Sequence, residues 1–157
     1  MGFWRPEPTD GENVTTDNRR ALVWSDDFLV GVPEIDEQHR RLLELLAEFY
    51  EKLAEAEHGS EALGALVCGL LDYTRYHFTT EERLMRQSGF PESVQHREQH
   101  ASFVARAADM ADRFTRGRLV LSLEATGFLR DWLFNHILVT DKALGRHILS
   151  REAGSVG

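Results

Sequence analysis

Cysteine occurs once in the 157 residues, at Cys68. One thiol cannot close an intramolecular disulfide, so no disulfide framework holds this fold, and the composition suits a reducing compartment. Long apolar runs are also missing. Hydrophobic residues make up 42% and charged residues 28%, with no stretch long enough to cross a bilayer. Basic residues are scarce beside acidic ones: 18 Lys and Arg stand against 26 Asp and Glu, for a formal net charge of -8. No dense cationic cluster exists to track a phosphate backbone. The chain does not open with a charged segment leading into an apolar one, and Arg19-Arg20 precedes a short, acid-interrupted stretch, so nothing marks it for export. These absences point to a cytoplasmic protein with no nucleic-acid or membrane partner. At this length the chain is about one domain with a sizeable core.

Helical periodicity fills most of what remains. Residues 1–21 have no such period and carry Gly2, Pro6, Pro8, Gly11, Asn13 and Asn18, so they read as a flexible N-terminal arm. Leu22, Val23, Trp24, Phe28, Leu29 and Val30 suggest a loop packed back onto the domain and punctuated by Gly31 and Pro33. The first helix starts near Pro33, with Glu34, Asp36 and Glu37 at its positive end, and ends near Glu57 to Gly59. Its inward stripe is Ile35, His39, Leu42, Leu46, Phe49 and Leu53, in alternating steps of four and three.

Ser60 suits the N-cap of a second helix with the stripe Leu63, Leu66, Leu70, Thr74, His77, Glu81 and Leu84. After a break at Gly89-Phe90-Pro91, a third helix carries His96, His100, Phe103, Ala107, Met110 and Phe114 and ends near Gly117. Ser122 caps a fourth, with Ala125, Leu129, Trp132 and His136 on one side, followed by a short terminal helix through about Leu149. The pattern predicts an all-α fold, an up-down-up-down antiparallel four-helix bundle. Its boundaries are an arm over 1–21, a bundle domain over 22–150 and a tail over 151–157.

The inward stripes contain groups that an apolar core excludes. His77 with Glu81, and His96 with His100, are spaced four apart, so each pair points to one side of its helix. His39, His136 and Asp141 complete a set that four antiparallel helices can bring to one level. A single histidine on an apolar face is most often a core residue with a hydrogen-bond partner. Five imidazoles and two carboxylates together are different, because one unpaired buried carboxylate costs roughly several kcal/mol. Cations would compensate. Thiolate is absent from the set, which excludes a cysteine-type zinc site, and the donors suit first-row transition metals in a number too large for one ion. If both carboxylates bridge two octahedral ions joined by an oxide or hydroxide, one coordination position stays open.

One spacing carries a structural demand. Five residues of regular α-helix turn about 500°, leaving Asp141 about 140° away from His136. The helix must therefore contain a π-type bulge, or break at Val139-Thr140, for both to reach the site.

The chain resembles bacterial hemerythrins from Trp24 to Leu149. The resemblance rests on W-S at Trp24-Ser25, V-G-V-P-E-I-D-E-Q-H ending at His39, H-F-T-T-E-E-R-L-M from His77, P-E-S-V-Q-H-R-E-Q-H from Pro91, and W-L-F-N-H-I-L-V-T-D from Trp132, in that order and spacing. It implies reversible O2 binding at a non-haem di-iron centre by a carrier, store or delivery protein that is a monomer and not an enzyme. Two iron ions (Fe2+/Fe3+) would be bridged by oxo or hydroxo, Glu81 and Asp141. His96, His100 and His136 would hold the six-coordinate iron, and His39 and His77 the one with the vacant position. Leu42, Phe78, Trp132, Leu133 and Ile137 match O2-pocket positions, although ordinary core packing would use the same residues.

Two other functional classes compete. Oxygen-activating oxidases and peroxidases built on bundles use paired Glu-x-x-His motifs and more carboxylates, which this chain lacks. An oxygen or redox sensor would act through a partner; sensory versions are fused to signalling domains for which there is no room here, though the arm could dock. Other residues have plainer expectations. His58 and His147 fall off the stripes and should face solvent, and Cys68 reads as a small packing residue. Nothing shows that Tyr73 or Tyr76 reaches the site, and Glu44, Glu48, Glu51 and Glu55 form a solvated face.

Overall fold

A computed structural model describes Leu22, residues 24–55 and residues 61–154. The arm over 1–21, the Ser60 cap and His58 lie outside the described residues. Five α-helices follow a short 3-10 turn at Asp26–Phe28: α1 Pro33–Glu55, α2 Glu61–Ser88, α3 Ser93–Thr115, α4 Leu123–Asn135 and α5 Lys142–Gly154. They form the predicted up-down-up-down antiparallel four-helix bundle, with α1 on α2 and α2 on α3 as its most extensive contacts. The expected C-terminal helix follows the fourth as α5. A π-helical turn over His136–Asp141 joins α4 to α5, which runs on to Gly154 rather than ending near Leu149. No proline follows Pro91, so nothing in this stretch blocks the helical path.

Burial follows the inward stripes. Ile35, His39, Leu42, Leu46 and Phe49 on α1 are fully buried; Leu42, Leu46 and Phe49 share the main core with Leu63, Leu70, Phe103, Leu129 and Leu133, while Ile35 packs in a second cluster with Met85 and Phe90. On α2 the buried face is wider than the predicted stripe: Val67, Leu71, Phe78 and Met85 are buried, whereas Leu66 and Leu84 are only half-buried. A helix packed on two neighbours buries an arc, not a line.

Helix ends follow their signals. Ser122 Oγ accepts from the Ala125 backbone N–H, 3.1 Å away, as the N-cap of α4. At the end of α2, Gly89 adopts φ +65; the Phe90 N–H donates to the Met85 carbonyl and the Gly89 N–H to the Arg86 carbonyl. That is a Schellman closure, sealed by the buried pair Met85 and Phe90. Gly117 closes α3 in the same way.

The segment before α1 does pack back on the bundle. Phe28, Val30 and Val32 are buried, and the Asp36 carboxylate accepts from the Val30 and Gly31 N–H groups at 2.8 and 3.2 Å. Two expectations about lone residues need correction. Cys68 is exposed, because it lies on the outer side of α2 rather than in the core. His147 is half-buried: its Nε2 donates to the Ser88 carbonyl at 2.8 Å and its ring lies 5.3 Å from Phe90, which caps the end of α2 from α5. Tyr73 is half-buried and Tyr76 is exposed.

Candidate metal centre

All seven predicted donor residues converge in the bundle interior, none more than 2% exposed. They form two overlapping groups: Glu81, Asp141, His96, His100 and His136, and Glu81, Asp141, His39 and His77, with the donor atoms of each group within 4.8 Å of one another. The two carboxylates belong to both. Glu81 Oε1 faces His77 Nε2 at 2.8 Å, while its Oε2 lies 3.1 Å from His96 Nε2 and 3.0 Å from His100 Nε2. Asp141 spans the same divide, with Oδ2 2.9 Å from His39 Nε2 and Oδ1 2.9 Å from His136 Nε2.

The π turn is what lets Asp141 do this. Hydrogen bonding from i to i+5 brings residues five apart over one another, so His136 and Asp141 point to the same side where a regular α-helix would separate them.

Outside the cluster a second layer fixes the rings. The Nδ1–H of His77 donates to Gln38 Oε1 at 2.8 Å, that of His136 to Gln99 Oε1 at 3.1 Å, and that of His100 to Glu82 Oε1 at 3.2 Å. Gln38 Nε2 donates to Thr80 Oγ1 and Thr140 Oγ1 to Gln99 Oε1, each at 3.1 Å. Sequence reasoning missed Gln38, Gln99 and Glu82. A polar residue beside a ligand-type histidine looks like ordinary helix surface, and the only available hint was that Gln38 and Gln99 directly precede His39 and His100.

Aromatic rings hold the imidazoles from the other side. Phe78 stacks on His100 with centroids 3.7 Å apart, and Trp132 stacks on His136 at 4.4 Å. Leu42 and Leu133 are buried in the same core cluster as Phe78, whereas Ile137 packs with Phe28 and Leu43, and Trp132 is only half-buried.

Hydrogen bonds among the seven do not satisfy them. Glu81 Oε1 and Asp141 Oδ1 have close imidazole neighbours yet no partner in hydrogen-bond geometry, and they are buried. A neutral imidazole that donates through Nδ1 presents a lone pair at Nε2. The Nε2 lone pairs of His77, His100 and His136 therefore face carboxylate oxygens, acceptor against acceptor. His39 and His77 bring their Nε2 atoms within 3.1 Å, and His100 and His136 within 3.0 Å. Such an arrangement needs positive charge at its centre, and the donor set fits transition-metal ions.

Without metal, protons take that role. Burial opposes charge on His39, but the hydrogen bonds to Asp141 and Glu81 outweigh it and raise the ring to about 9. Burial is likewise outweighed at His136, where the charge of Asp141 raises the ring to about 10. His96 and His77 are raised for similar reasons, while burial lowers His100, with His136 and His96 adding repulsion. Burial would push Glu81 and Asp141 up, yet the surrounding imidazoles hold both well below the usual carboxylate range.

An all-α bundle that aims five imidazoles and two shared carboxylates at one interior point is a four-helix metal-binding protein. Residues 30–148 match the family described as hemerythrin HHE cation binding domain, and the chain belongs to the hemerythrin family. It is 38% identical over 122 residues to the bacteriohemerythrin of Stenotrophomonas maltophilia, covering 78% of each chain. The myohemerythrin of Riftia pachyptila is 30% identical over 115 residues, 73% of this chain and 83% of that one. Among solved structures, wild-type hemerythrin matches with a TM-score of 0.75 and 30% identity, over 80% of this chain and 96% of the other. No described helix is long and apolar enough to cross a membrane.

Proposed function

We propose that this protein binds O2 reversibly at a non-haem di-iron centre and serves as an oxygen carrier, store or delivery protein rather than an enzyme. His96, His100 and His136 would hold one iron, His39 and His77 the other, and Glu81 and Asp141 would bridge them. The observation that carries this reading is the donor cluster itself, in which Glu81 Oε1 and Asp141 Oδ1 are buried without a hydrogen-bond partner among imidazole nitrogens that converge on the same point. When bound, an iron pair supplies the electrons on which reversible O2 binding depends.

The chain's own residues supply the setting. Five neutral imidazoles against two carboxylates leave a pair of divalent ions with net positive charge, which favours the reduced state over deeper oxidation. Leu42, Leu133 and Ile137 are at most 1% exposed and Phe78 is 4% exposed, so the apolar residues next to the donor histidines along their helices are closed to solvent. Dryness slows proton delivery and with it irreversible loss of electrons from the site. Phe78 and Trp132, stacked on His100 and His136, keep those rings from rotating.

The test joins metal analysis to absorption spectra of ferrous-loaded protein, taken without oxygen, after O2 and after its removal. Two irons per chain and a band that appears and then disappears support the reading. Irreversible bleaching with turnover of an added reductant would overturn it in favour of an oxidase.

A further inference from the structure

Gln38 stands apart from the other side chains that hydrogen-bond the donor histidines from outside the cluster because it is itself enclosed, at 5% exposure, and because both ends of its amide are committed. Its Oε1 accepts from His77 Nδ1 at 2.8 Å, and its Nε2 donates to Thr80 Oγ1 at 3.1 Å. Thr80 Oγ1 in turn donates to the Tyr76 carbonyl at 3.3 Å. The chain of donors runs one way only. A rotated amide would set an NH2 group against His77 and leave the Thr80 hydroxyl between two acceptors with one proton. By contrast Gln99, which meets His136, is exposed and open to water on one side.

We infer that Gln38 is a positioning residue that holds His77 in its Nδ1–H form, so that the Nε2 lone pair of that ring is always aimed at the metal cluster, and that it does so with a neutral amide that leaves the ring a neutral imidazole. The alternative tautomer would put a proton on Nε2, 2.8 Å from Glu81 Oε1 and 3.1 Å from His39 Nε2. That proton would block a cation from this side of the site. His39 gains nothing comparable, since its Nδ1 has no partner among the described residues. The two-histidine half of the cluster therefore depends on one amide on α1, next to His39 in sequence, for the orientation of a ring on α2. This inference rests on the metal-site reading above, and it uses zinc as the probe so that the two can fail separately.

Three measurements decide it. Nitrogen NMR of wild-type protein loaded with Zn2+ should show His77 protonated on Nδ1 and bound through Nε2. Chelator competition should find that Gln38→Leu, of similar size but without an acceptor, loses about 10- to 100-fold in affinity for one of two Zn2+ ions. Gln38→Glu keeps an acceptor for Nδ1–H and should recover most of that loss. In iron-loaded protein the same Gln38→Glu change should lower the midpoint potential, because a carboxylate draws the Nδ1 proton and makes the ring a stronger donor. A role in packing alone would weaken both variants alike and leave the potential where it was. A wild-type His77 protonated on Nε2, or a folded Gln38→Leu protein that binds both zinc ions normally, would overturn the inference. Should Gln38→Leu not fold, the wild-type spectrum decides alone. Wild-type protein that passes the zinc tests but never binds O2 would refute the oxygen reading and leave Gln38 in its role.

Discussion

Glu81 concentrates the electrostatics of the site in one residue, since it lies within 3.1 Å of three imidazole nitrogens that converge from α2 and α3. Glu81→Gln preserves its shape and removes the charge, so we expect loss of both ions in metal analysis with helix content by circular dichroism unchanged. His77→Ala should strip iron or abolish the oxygenated spectrum, whereas His147→Ala should leave both intact; equal outcomes would overturn the division between ring positions. These residues were legible because ionisable groups stood on apolar stripes at steps of three and four. Gln38 and Gln99 were not, because glutamine carries no charge and on a helix it most often faces solvent. Cys68 and His147 misled for a related reason: periodicity gives a direction around a helix, but the neighbour that covers or uncovers that direction is a tertiary fact.

Among the elements, the π turn over His136–Asp141 was legible from arithmetic, as a spacing of five that an α-helix cannot place on one side. Its length also makes a directional prediction. Inserting one alanine between Leu138 and Val139 should swing Asp141 about 100° off the cluster and abolish tight metal binding in chelator competition. Deleting Val139, an exposed residue, leaves four residues, the spacing that His77 and Glu81 already use, and should retain it. What sequence could not show is where α5 ends or how it meets the loop before α1. A Cβ on Gly145 would come within 2.3 Å of the Val30 carbonyl oxygen, and the Val30 N–H is tied to Asp36. Gly145→Ala should therefore cost about 1–3 kcal/mol in urea unfolding. Gly127→Ala meets nothing within 4 Å and should stabilise by about 0.5–1 kcal/mol. Two identical changes on one continuous helix would then differ in sign.

For the molecule as a whole, the cluster sets how stability responds to pH. The metal-free fold holds His39 at about 9 and His136 at about 10, both above the ordinary 6.5. A raised histidine stabilises the fold fully below 6.5, and that contribution drains away as pH climbs to the folded value. Glu81 and Asp141 are lowered from 4.5 and 3.8, so their contribution is complete above those values and is lost on acidification. The metal-free protein should be most stable between these limits, from about pH 4.5 to 6.5, and weaken toward pH 9 by about 1 kcal/mol per pH unit for each proton held only by the folded state. Metal ions occupy the place of those protons, so binding must release them and the loaded protein has none to lose over the same range. The gap in unfolding free energy between zinc-loaded and metal-free protein should accordingly widen from pH 6.5 to 9, measured by urea titration at fixed free Zn2+. Parallel curves would mean that binding displaces no protons, and that the seven side chains are satisfied by one another rather than by a cation.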